Sequence, residues 1–150
     1  MTLHGTVVAG AERGVLLIGA SGAGKSALAL NLMARGALLV ADDRVRLDIS
    51  GGHLLASAPV PLSGLIEARG IGLVRLSRSA QSCRLGLVVD LDRPPAGRLP
   101  PVERWWHRGI AVPCIAGRDI AGLCSFLSLW LRGELELIDS DEAGHDPDHP

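Results

Sequence analysis

The stretch Gly19-Ala20-Ser21-Gly22-Ala23-Gly24-Lys25-Ser26 decides the fold of this chain. It follows the apolar run at residues 15–18 and opens a helical pattern over about residues 25–35. A buried strand, a glycine-rich loop ending in Lys-Ser, and a helix are the layout of a phosphate-binding P-loop. Backbone N–H groups of such a loop converge on phosphate oxygens, because glycines have no Cβ to block the approach. The pattern predicts that Lys25 reaches the β- and γ-phosphates and that the Ser26 hydroxyl ligates Mg²⁺.

The match is too specific to be a product of composition. The chain has 150 residues with 19 glycines, and Lys25 is the single lysine among its 15 Lys and Arg residues. Multiplying the residue frequencies along the chain gives about 10⁻³ accidental matches to the pattern. If the segment were only a glycine-rich turn before an ordinary helix, a lysine would not be expected in it, because the basic residues elsewhere in the chain are all arginine. The predicted phosphate-binding positions are Gly19, Ala20, Ser21, Gly22, Ala23, Gly24, Lys25 and Ser26.

The bulk composition indicates one globular domain with an aliphatic core. Hydrophobic residues make up 47% of the chain and charged residues 21%, whereas aromatic residues make up only 3%. A net charge of −1 provides no field that would attract nucleic acid or an anionic membrane surface. We expect residues 1–138 to form the domain and the acidic, proline-containing stretch 139–150 to be disordered.

Cysteine spacing and hydropathy favour a cytoplasmic protein. Cys83, Cys114 and Cys124 form no CxxC pair and are odd in number, which argues against a zinc site and against a disulfide framework. The N-terminus lacks the charged and apolar segments of a signal peptide. The apolar runs are interrupted well before the roughly 18 residues that a membrane span needs. Reduced thiols in the cytoplasm are therefore the expectation.

Short apolar and alternating runs predict a sheet with many hairpins and few helices. Strands are expected at residues 6–9, 15–18, 37–41, 44–49, 53–58, 84–92 and 109–115. Pro113 predicts that the last of these lies at an edge of the sheet. A helix over residues 120–132 is expected to begin at an N-capping Asp119, and the first helix to end at Gly36. The sequence thus predicts an α/β domain, a P-loop nucleotide-binding core with a mixed, hairpin-rich sheet.

Two strand ends offer a carboxylate for the metal ion that accompanies a bound nucleotide. The pair Asp42-Asp43 follows the apolar run at residues 38–41, and Asp90 follows the run at residues 87–89. We favour the pair, because one carboxylate can serve metal or phosphate contacts while the other accepts a proton from an attacking hydroxyl. The alternative is a solvated turn at a strand end, where aspartate is common.

Glu67 and Arg69 alternate in an extended stretch between apolar neighbours. Glu67 is a candidate metal ligand, and Arg69 is a candidate phosphate contact that can be bidentate. A solvent-exposed ion pair between the two fits the spacing equally well. His4 can bring an imidazole to the site, although a lone histidine near a terminus is more often incidental. His107, next to two tryptophans, fits packing better than catalysis.

These segments together resemble the HPr kinase/phosphorylase family. The matching segments, in the family's order, are His4-Gly5, the loop at 19–26, Arg35-Gly36, Leu39-Val40-Ala41-Asp42-Asp43-Arg44-Val45, Ala58-Pro59 and Glu67-Ala68-Arg69-Gly70-Ile71-Gly72. The resemblance is strong over about residues 4–75, and ordinary P-loop kinases lack the runs at residues 41–45 and 67–72. It implies the short form found in alphaproteobacteria, a catalytic domain with a core similar to that of phosphoenolpyruvate carboxykinase.

The resemblance implies an enzyme that uses ATP and Mg²⁺ to phosphorylate a regulatory serine of HPr, the phosphocarrier of the phosphotransferase system. It also implies the reverse reaction by phosphorolysis, with release of pyrophosphate. The implied catalytic residues are Asp43, Asp42, His4 and Lys25, the implied nucleotide contacts are residues 19–26 and Arg69, and the implied metal ligands are Ser26 and Glu67. Asp43 is the residue expected to deprotonate the serine.

The C-terminal part departs from the family pattern. The run around Arg118 is similar to a substrate-side loop of longer members but lacks its proline and asparagine, so Arg118 is only a weak candidate. Longer members are hexamers, and the sequence leaves the size of any homo-oligomer open. A small-molecule kinase, with residues 69–84 as an arginine-rich lid, and a nucleotide sensor without turnover are the competing functions. A pure sensor would need no second carboxylate at residues 42–43.

Overall fold

A computed structural model describes residues 2–139 and consists of eleven strands and two α-helices over that range. The strands are β1 (Thr2–His4), β2 (Thr6–Ala9), β3 (Gly14–Ile18), β4 (Leu38–Ala41), β5 (Arg44–Ser50), β6 (His53–Ser57), β7 (Leu65–Ala68), β8 (Gly72–Arg75), β9 (Ser82–Asp90), β10 (Glu103–His107) and β11 (Ile110–Ala116). The helices are α1 (Lys25–Ala34) and α2 (Leu123–Leu131). Nine strands form a mixed sheet and β7–β8 a separate hairpin, which confirms the predicted fold class. Of the stretch expected to be disordered, residues 140–150 lie outside the described part of the chain.

The central strand of the sheet is β9. One of its edges pairs in parallel with β3, while the other edge pairs antiparallel with β6 and then in parallel with β11. Leu87, Val88 and Val89 are buried because both faces of this strand are covered. The carboxyl ends of β3, β9 and β11 consequently meet at one edge of the sheet, and the P-loop begins there.

Each face of the sheet has its own aliphatic core. Leu17 belongs to the core that α1 and α2 cover, whereas the adjacent Leu16 belongs to the core on the opposite face, since successive strand residues point to opposite sides. The sheet is curved toward its second face, so that β4 contacts β6 although the two strands are not paired. Over residues 2–139, no helix combines the length and the hydropathy that a bilayer crossing requires.

Gly36 terminates the first helix, as predicted. This glycine has a φ of 106°, a left-handed value that is favourable for glycine. The N–H groups of Gly36 and Ala37 donate to the carbonyl oxygens of Met33 and Leu32 at 3.0 and 3.1 Å. These two bonds form a Schellman motif, which satisfies carbonyl groups that the end of a helix leaves unpaired.

The last helix begins later than the sequence predicts. α2 starts at Leu123, and the residue before it, Gly122, makes no side-chain capping bond. Asp119 does not cap the helix, because it lies outside the cap position with a φ of 61°. The predicted cap at Asp119 is therefore wrong, and the preceding residues form a turn.

The predicted edge position of the strand that contains Pro113 is also wrong. β11 lies inside the sheet, because β10, which the sequence pattern does not predict, pairs antiparallel with it. The two strands are joined by a two-residue turn at Arg108-Gly109. Pro113 is compatible with this position because the pairing of β11 with β9 begins only at Cys114.

Candidate active site

The loop between β3 and α1 folds around its own lysine. Lys25 Nζ donates to the carbonyl oxygens of Gly19 and Ala20 at 2.6 and 3.1 Å. Gly22 and Gly24 have φ values of 89° and 98°, which residues with a Cβ rarely adopt. Apart from the adjoining residues of the chain, no heavy atom of residues 2–139 lies within 4 Å of the point where a Cβ on Gly24 would stand. The loop is thus an open backbone concavity with an ammonium group beside it.

Asp92 holds the first turn of this loop. The N–H of Ala20 donates to both carboxylate oxygens of Asp92, at 3.0 and 2.9 Å. Asp92 follows the end of β9, and its own N–H donates to Asp90 Oδ1 at 2.9 Å. Since β9 is the direct neighbour of β3, a residue just beyond its end reaches the loop that follows β3.

Asp90, the alternative metal-binding carboxylate, is occupied by a different contact. Arg93 Nε donates to Asp90 Oδ2 at 2.8 Å, and its terminal nitrogens donate to the carboxylate of Glu103 at 3.1 and 2.6 Å. Hydrogen bonds from Arg93 lower the pKa of Glu103, and the same bonds raise the pKa of Arg93. Because Asp90 also accepts the N–H of Asp92, this network connects the backbone of Asp92 to Glu103 on β10.

Asp42 is buried at the end of β4, where three donors surround its carboxylate. Oδ1 accepts hydrogen bonds from the hydroxyls of Thr6 and Ser26, at 2.9 and 2.8 Å. Oδ2 accepts a bond from the backbone N–H of Glu67 at 3.1 Å. The side chain is 7% exposed, so these donors replace the water that its charge would otherwise require. Asp42 therefore ties β2, α1 and β7 together at the site.

Asp43 has the opposite environment from its neighbour. Its side chain is 75% exposed, and His4 Nδ1 lies 3.7 Å from its Oδ1. The N–H of Arg44 donates to the carbonyl oxygen of Asp42 at 2.8 Å across Asp43, whose φ is 69°. These values describe a γ-turn with a positive φ, a rare and strained conformation that tends to occur at functional sites. The turn points the second carboxylate away from the core.

The β7–β8 hairpin closes one side of the site. Glu67 lies on the exposed face of β7 next to Asp42, because its backbone bonds to that carboxylate while Ile66 and Ala68 point into the protein. The guanidinium group of Arg69 lies 3.7 Å from the point where a Cβ on Gly22 would stand. Within residues 2–139 the side chains of Glu67 and Arg69 form no ion pair with each other. Arg69 lies against the P-loop instead.

A cleft of about 650 Å³ brings the predicted site residues together. The predicted residues that line it are His4, Gly19, Ala20, Ser21, Gly22, Gly24, Lys25, Ser26, Asp42, Asp43, Glu67 and Arg69. Ala23 is the exception, since its side chain packs against the core that the helices cover. Arg118 does not line the cleft, and its Nε lies 3.7 Å from Asp119 Oδ2. No contact of Arg118 with the site supports the weak candidacy that its sequence suggested.

The donor groups of the cleft fit Mg²⁺ and a phosphate-bearing nucleotide. The Ser26 hydroxyl and the Glu67 carboxylate are oxygen ligands of the kind that Mg²⁺ prefers. Among residues 2–139, no group of three or more His, Cys, Asp and Glu side chains is placed to hold a metal by itself. A site with one or two protein ligands suits Mg²⁺, which usually keeps several waters and binds substrate phosphates. The positive backbone N–H groups of the loop and Lys25 suit the phosphates.

Comparison with known families identifies this architecture. The family model described as the HPr Serine kinase C-terminal domain matches residues 1–93, which contain the P-loop, both aspartates and the β7–β8 hairpin. The chain belongs to the HPr serine kinase family. The resemblance inferred from the sequence motifs is thereby confirmed.

Individual relatives of this HPr serine kinase family member agree with that assignment. The HPr kinase/phosphorylase of Aromatoleum aromaticum is 38% identical over 141 residues, and that of Mycoplasmopsis pulmonis is 32% identical over 138 residues. The alignments cover 82% and 81% of this chain but only 45% of each relative, so the chain spans less than half the length of these relatives. The solved structure of the Hpr(Ser) kinase/phosphatase from Coxiella burnetii superposes with a TM-score of 0.77 at 27% identity, covering 89% of this chain and 95% of that one.

Two residues of this family member reach the site without having been predicted from the sequence. Thr6 bonds to Asp42 from β2, and Asp92 bonds to the P-loop from the end of β9. A threonine inside an apolar strand carries no motif, and its role depends on β2 lying between β3 and β4. Asp92 had a usable signal, because it stands just beyond the end of an apolar strand, as Asp42 does.

Proposed function

We propose that this chain is an ATP-dependent serine kinase and phosphorylase that acts on HPr, the phosphocarrier protein of the phosphotransferase system. The observation that carries the proposal is the separation of the two adjacent aspartates. Asp42 is buried and holds Ser26, whereas Asp43 is exposed in the same cleft as the P-loop. A phosphoryl acceptor that enters the cleft therefore meets an exposed carboxylate that can take its proton.

The nucleotide phosphates bind the loop at residues 19–26. The loop amides and the N-terminus of α1 supply partial positive charge, and Lys25 supplies a full charge. Arg69 adds a second cation from the hairpin, because its guanidinium already lies against Gly22. A planar guanidinium suits phosphate oxygens better than an ammonium group where two parallel hydrogen bonds can form.

Ser26 and Glu67 are the protein ligands that we assign to Mg²⁺. Mg²⁺ held by these residues would supply positive charge that offsets the charge developing on the transferring phosphoryl group. Asp42 keeps the Ser26 hydroxyl oriented by accepting its proton in a hydrogen bond, which leaves the oxygen lone pairs free for the metal. The bond from the Glu67 N–H to Asp42 places the Glu67 carboxylate at the same point of the cleft. Asp42 thus positions both ligands.

Asp43 accepts the proton of the serine hydroxyl as the serine oxygen bonds to the γ-phosphorus of ATP, the bond to the β-phosphate oxygen breaks and ADP leaves. In the phosphorolysis direction, Asp43 returns a proton to the serine oxygen, while the phosphoryl group passes to inorganic phosphate and forms pyrophosphate. His4 Nδ1 lies 3.7 Å from Asp43 Oδ1 and can orient this carboxylate in both the kinase reaction and the phosphorolysis reaction. The small net charge of −1 agrees with a protein partner rather than nucleic acid. Because the proposed substrates are ATP and HPr, we assign the reaction to the cytoplasm.

The segment that could have formed the lid of a small-molecule kinase has another structure. Residues 69–84 contain the hairpin turn, β8 and the start of β9, and they do not fold as a mobile helical cover. Ile71, which lines the cleft, and Leu73, two residues further along this hairpin, are 83% and 71% exposed. An open cleft with an apolar margin supports a protein acceptor over a small polar metabolite.

The deciding experiment incubates the purified chain with Mg-ATP and HPr and measures serine phosphorylation by mass spectrometry. Phosphate is then added to the product, and release of pyrophosphate is measured. We expect both reactions with the natural sequence and neither with Lys25→Ala, which removes the loop cation. Phosphorylation of a metabolite with unmodified HPr would establish a small-molecule kinase. ATP binding without any transfer would establish a nucleotide sensor.

A further inference from the structure

The outer edge of β10 is a strand edge without a partner strand in the described part of the chain. Over residues 2–139, β10 pairs with β11 on one side and with no strand on the other. Trp106 on this strand is 65% exposed. An exposed edge strand is a template for pairing with another chain unless something blocks it, and tryptophan and arginine are enriched where proteins meet.

The turn that precedes β11 determines which backbone groups face outward. Arg108 and Gly109 have φ values of 47° and 82°, as a two-residue type I′ hairpin turn requires. In such a hairpin His107 and Ile110 exchange the first pair of hydrogen bonds, and bonded and non-bonded pairs then alternate. Arg104 and Trp106 therefore turn their N–H and C=O groups away from β11. Pro113, which lacks an N–H, stands opposite Arg104 in agreement with this alternation.

The side chains of β10 are divided between two faces. Trp105 and His107 share one face, where their rings stack with centroids 5.8 Å apart. Arg104 and Trp106 share the other face, because strand side chains alternate. Two identical strands can pair antiparallel about a two-fold axis normal to the sheet. Each side chain then lies opposite a side chain on the same face of the second copy. The register can consequently shift only in steps that preserve the face.

We propose that two copies of this chain pair antiparallel through β10, with the two-fold axis at Trp105. In this register Arg104 lies opposite Trp106 of the second copy, and Glu103 lies opposite His107 of the second copy. The outward groups of Arg104 and Trp106 then form about four backbone hydrogen bonds across the axis. Each guanidinium can also lie over an indole ring, an attractive contact that Arg makes readily with Trp.

The charges of β10 favour this register over its two neighbours. Moving the axis to Arg104 would place that arginine opposite its own copy. Moving the axis to Trp106 would place Arg104 opposite Arg108. Like charges directly opposite each other destabilise a strand pair. The strand is therefore complementary to itself in one register, and the occupant that it fits is a second copy of this chain.

The test is sedimentation of the 150-residue chain over a concentration series, with two substitutions at one position. The natural sequence is expected to sediment at about twice the mass of one chain. Trp106→Arg places a cation opposite Arg104 and is expected to give monomers, whereas Trp106→Glu places a carboxylate there and is expected to keep the dimer. The double variant Arg104→Glu with Trp106→Arg is expected to restore it. Circular dichroism and thermal unfolding verify that each variant is folded.

Several outcomes would overturn the proposal. A natural sequence that stays monomeric throughout the series would do so, and so would equal dissociation of the Arg and Glu variants, since the register predicts opposite effects. A shortened chain ending at Asp139 provides the last comparison. If the full chain is monomeric and the shortened chain dimerises, the edge is covered by residues 140–150 and not by a second copy. A dimer that none of the substitutions affects would place the contact elsewhere.

Discussion

The hydroxyl of Ser26 donates a 2.8 Å hydrogen bond to Oδ1 of Asp42. This bond joins the first turn of α1 to the residue that follows β4. Thr6 donates to the same oxygen from β2, the strand that lies between β3 and β4 in the sheet. The metal-binding hydroxyl of the proposed mechanism therefore depends on a buried carboxylate that never needs to touch the nucleotide.

We expect Asp42→Asn to lower the free energy of unfolding by about 1–3 kcal/mol. An amide has one acceptor oxygen, so its NH₂ group would face either the two hydroxyls or the N–H of Glu67. Thr6→Val is the matched control, because it removes one donor and leaves the others, and it should cost about 1 kcal/mol. Equilibrium unfolding in urea measures both. Unchanged stability of Asp42→Asn would contradict the arrangement of donors.

Asp43→Asn should lower the rate of phosphoryl transfer by about 10²-fold or more, because the proton acceptor is lost. Binding of Mg-ATP should change by less than about twofold, since Asp43 is exposed and is not assigned to metal or phosphate. Single-turnover transfer and calorimetric titration separate the two effects. A parallel loss of binding and transfer would assign Asp43 to the metal or to structure.

Asp43→Gly is a second probe of the same residue, directed at its backbone. The φ of 69° at Asp43 is strained for a residue with a Cβ and unstrained for glycine. The glycine variant should thus be as stable as the natural protein or more stable, and as inactive as Asp43→Asn. Thermal unfolding beside the transfer assay checks both. Retained activity in the glycine variant would exclude Asp43 as the proton acceptor.

Asp92→Asn should weaken Mg-ATP binding about fivefold, equivalent to about 1 kcal/mol. The carboxylate that holds the Ala20 N–H becomes a neutral amide, and hydrogen bonds to charged groups are stronger than bonds to neutral ones. Losing a negative charge near phosphates would by itself favour binding. Asp43→Asn removes a negative charge from the cleft without changing a contact of the loop, so it is the control for that effect. If both variants bind ATP equally well, Asp92 does not position the loop.

Cys83 should react slowly with iodoacetamide compared with Cys124 near pH 8. Burial raises the pKa of the Cys83 thiol to about 12, and its Sγ lies where a Cβ on Gly14 would collide with it. The reactive thiolate of Cys83 therefore forms in quantity only as the pH approaches the raised pKa. Peptide mapping of the alkylated native protein measures both rates. Comparable labelling of the two cysteines would show that Cys83 is open to solvent.

The local elements of this protein could be predicted from its sequence. The P-loop, the helix that follows it, its end at Gly36 and the β5–β6 hairpin each depend on interactions between residues close in the chain. Periodicity, glycine positions and the lysine of the loop are therefore sufficient signals. Spacing also indicated the Asp42-Asp43 pair and the candidates Glu67 and Arg69, for which the family resemblance implied roles, and all four line the same cleft as the loop.

The tertiary structure determined the separate roles of the residues at the site. Asp42 and Asp43 are equivalent in sequence, and they differ because the chain turns at Asp43 after leaving β4, with one carboxylate turned to Thr6 and Ser26 and the other turned to solvent. Asp92 contacts the P-loop only because β9 is paired with β3. The position of β10 outside β11 likewise depends on a pairing of whole strands. Such contacts join residues that are distant in the chain, and no local pattern records which strands become neighbours.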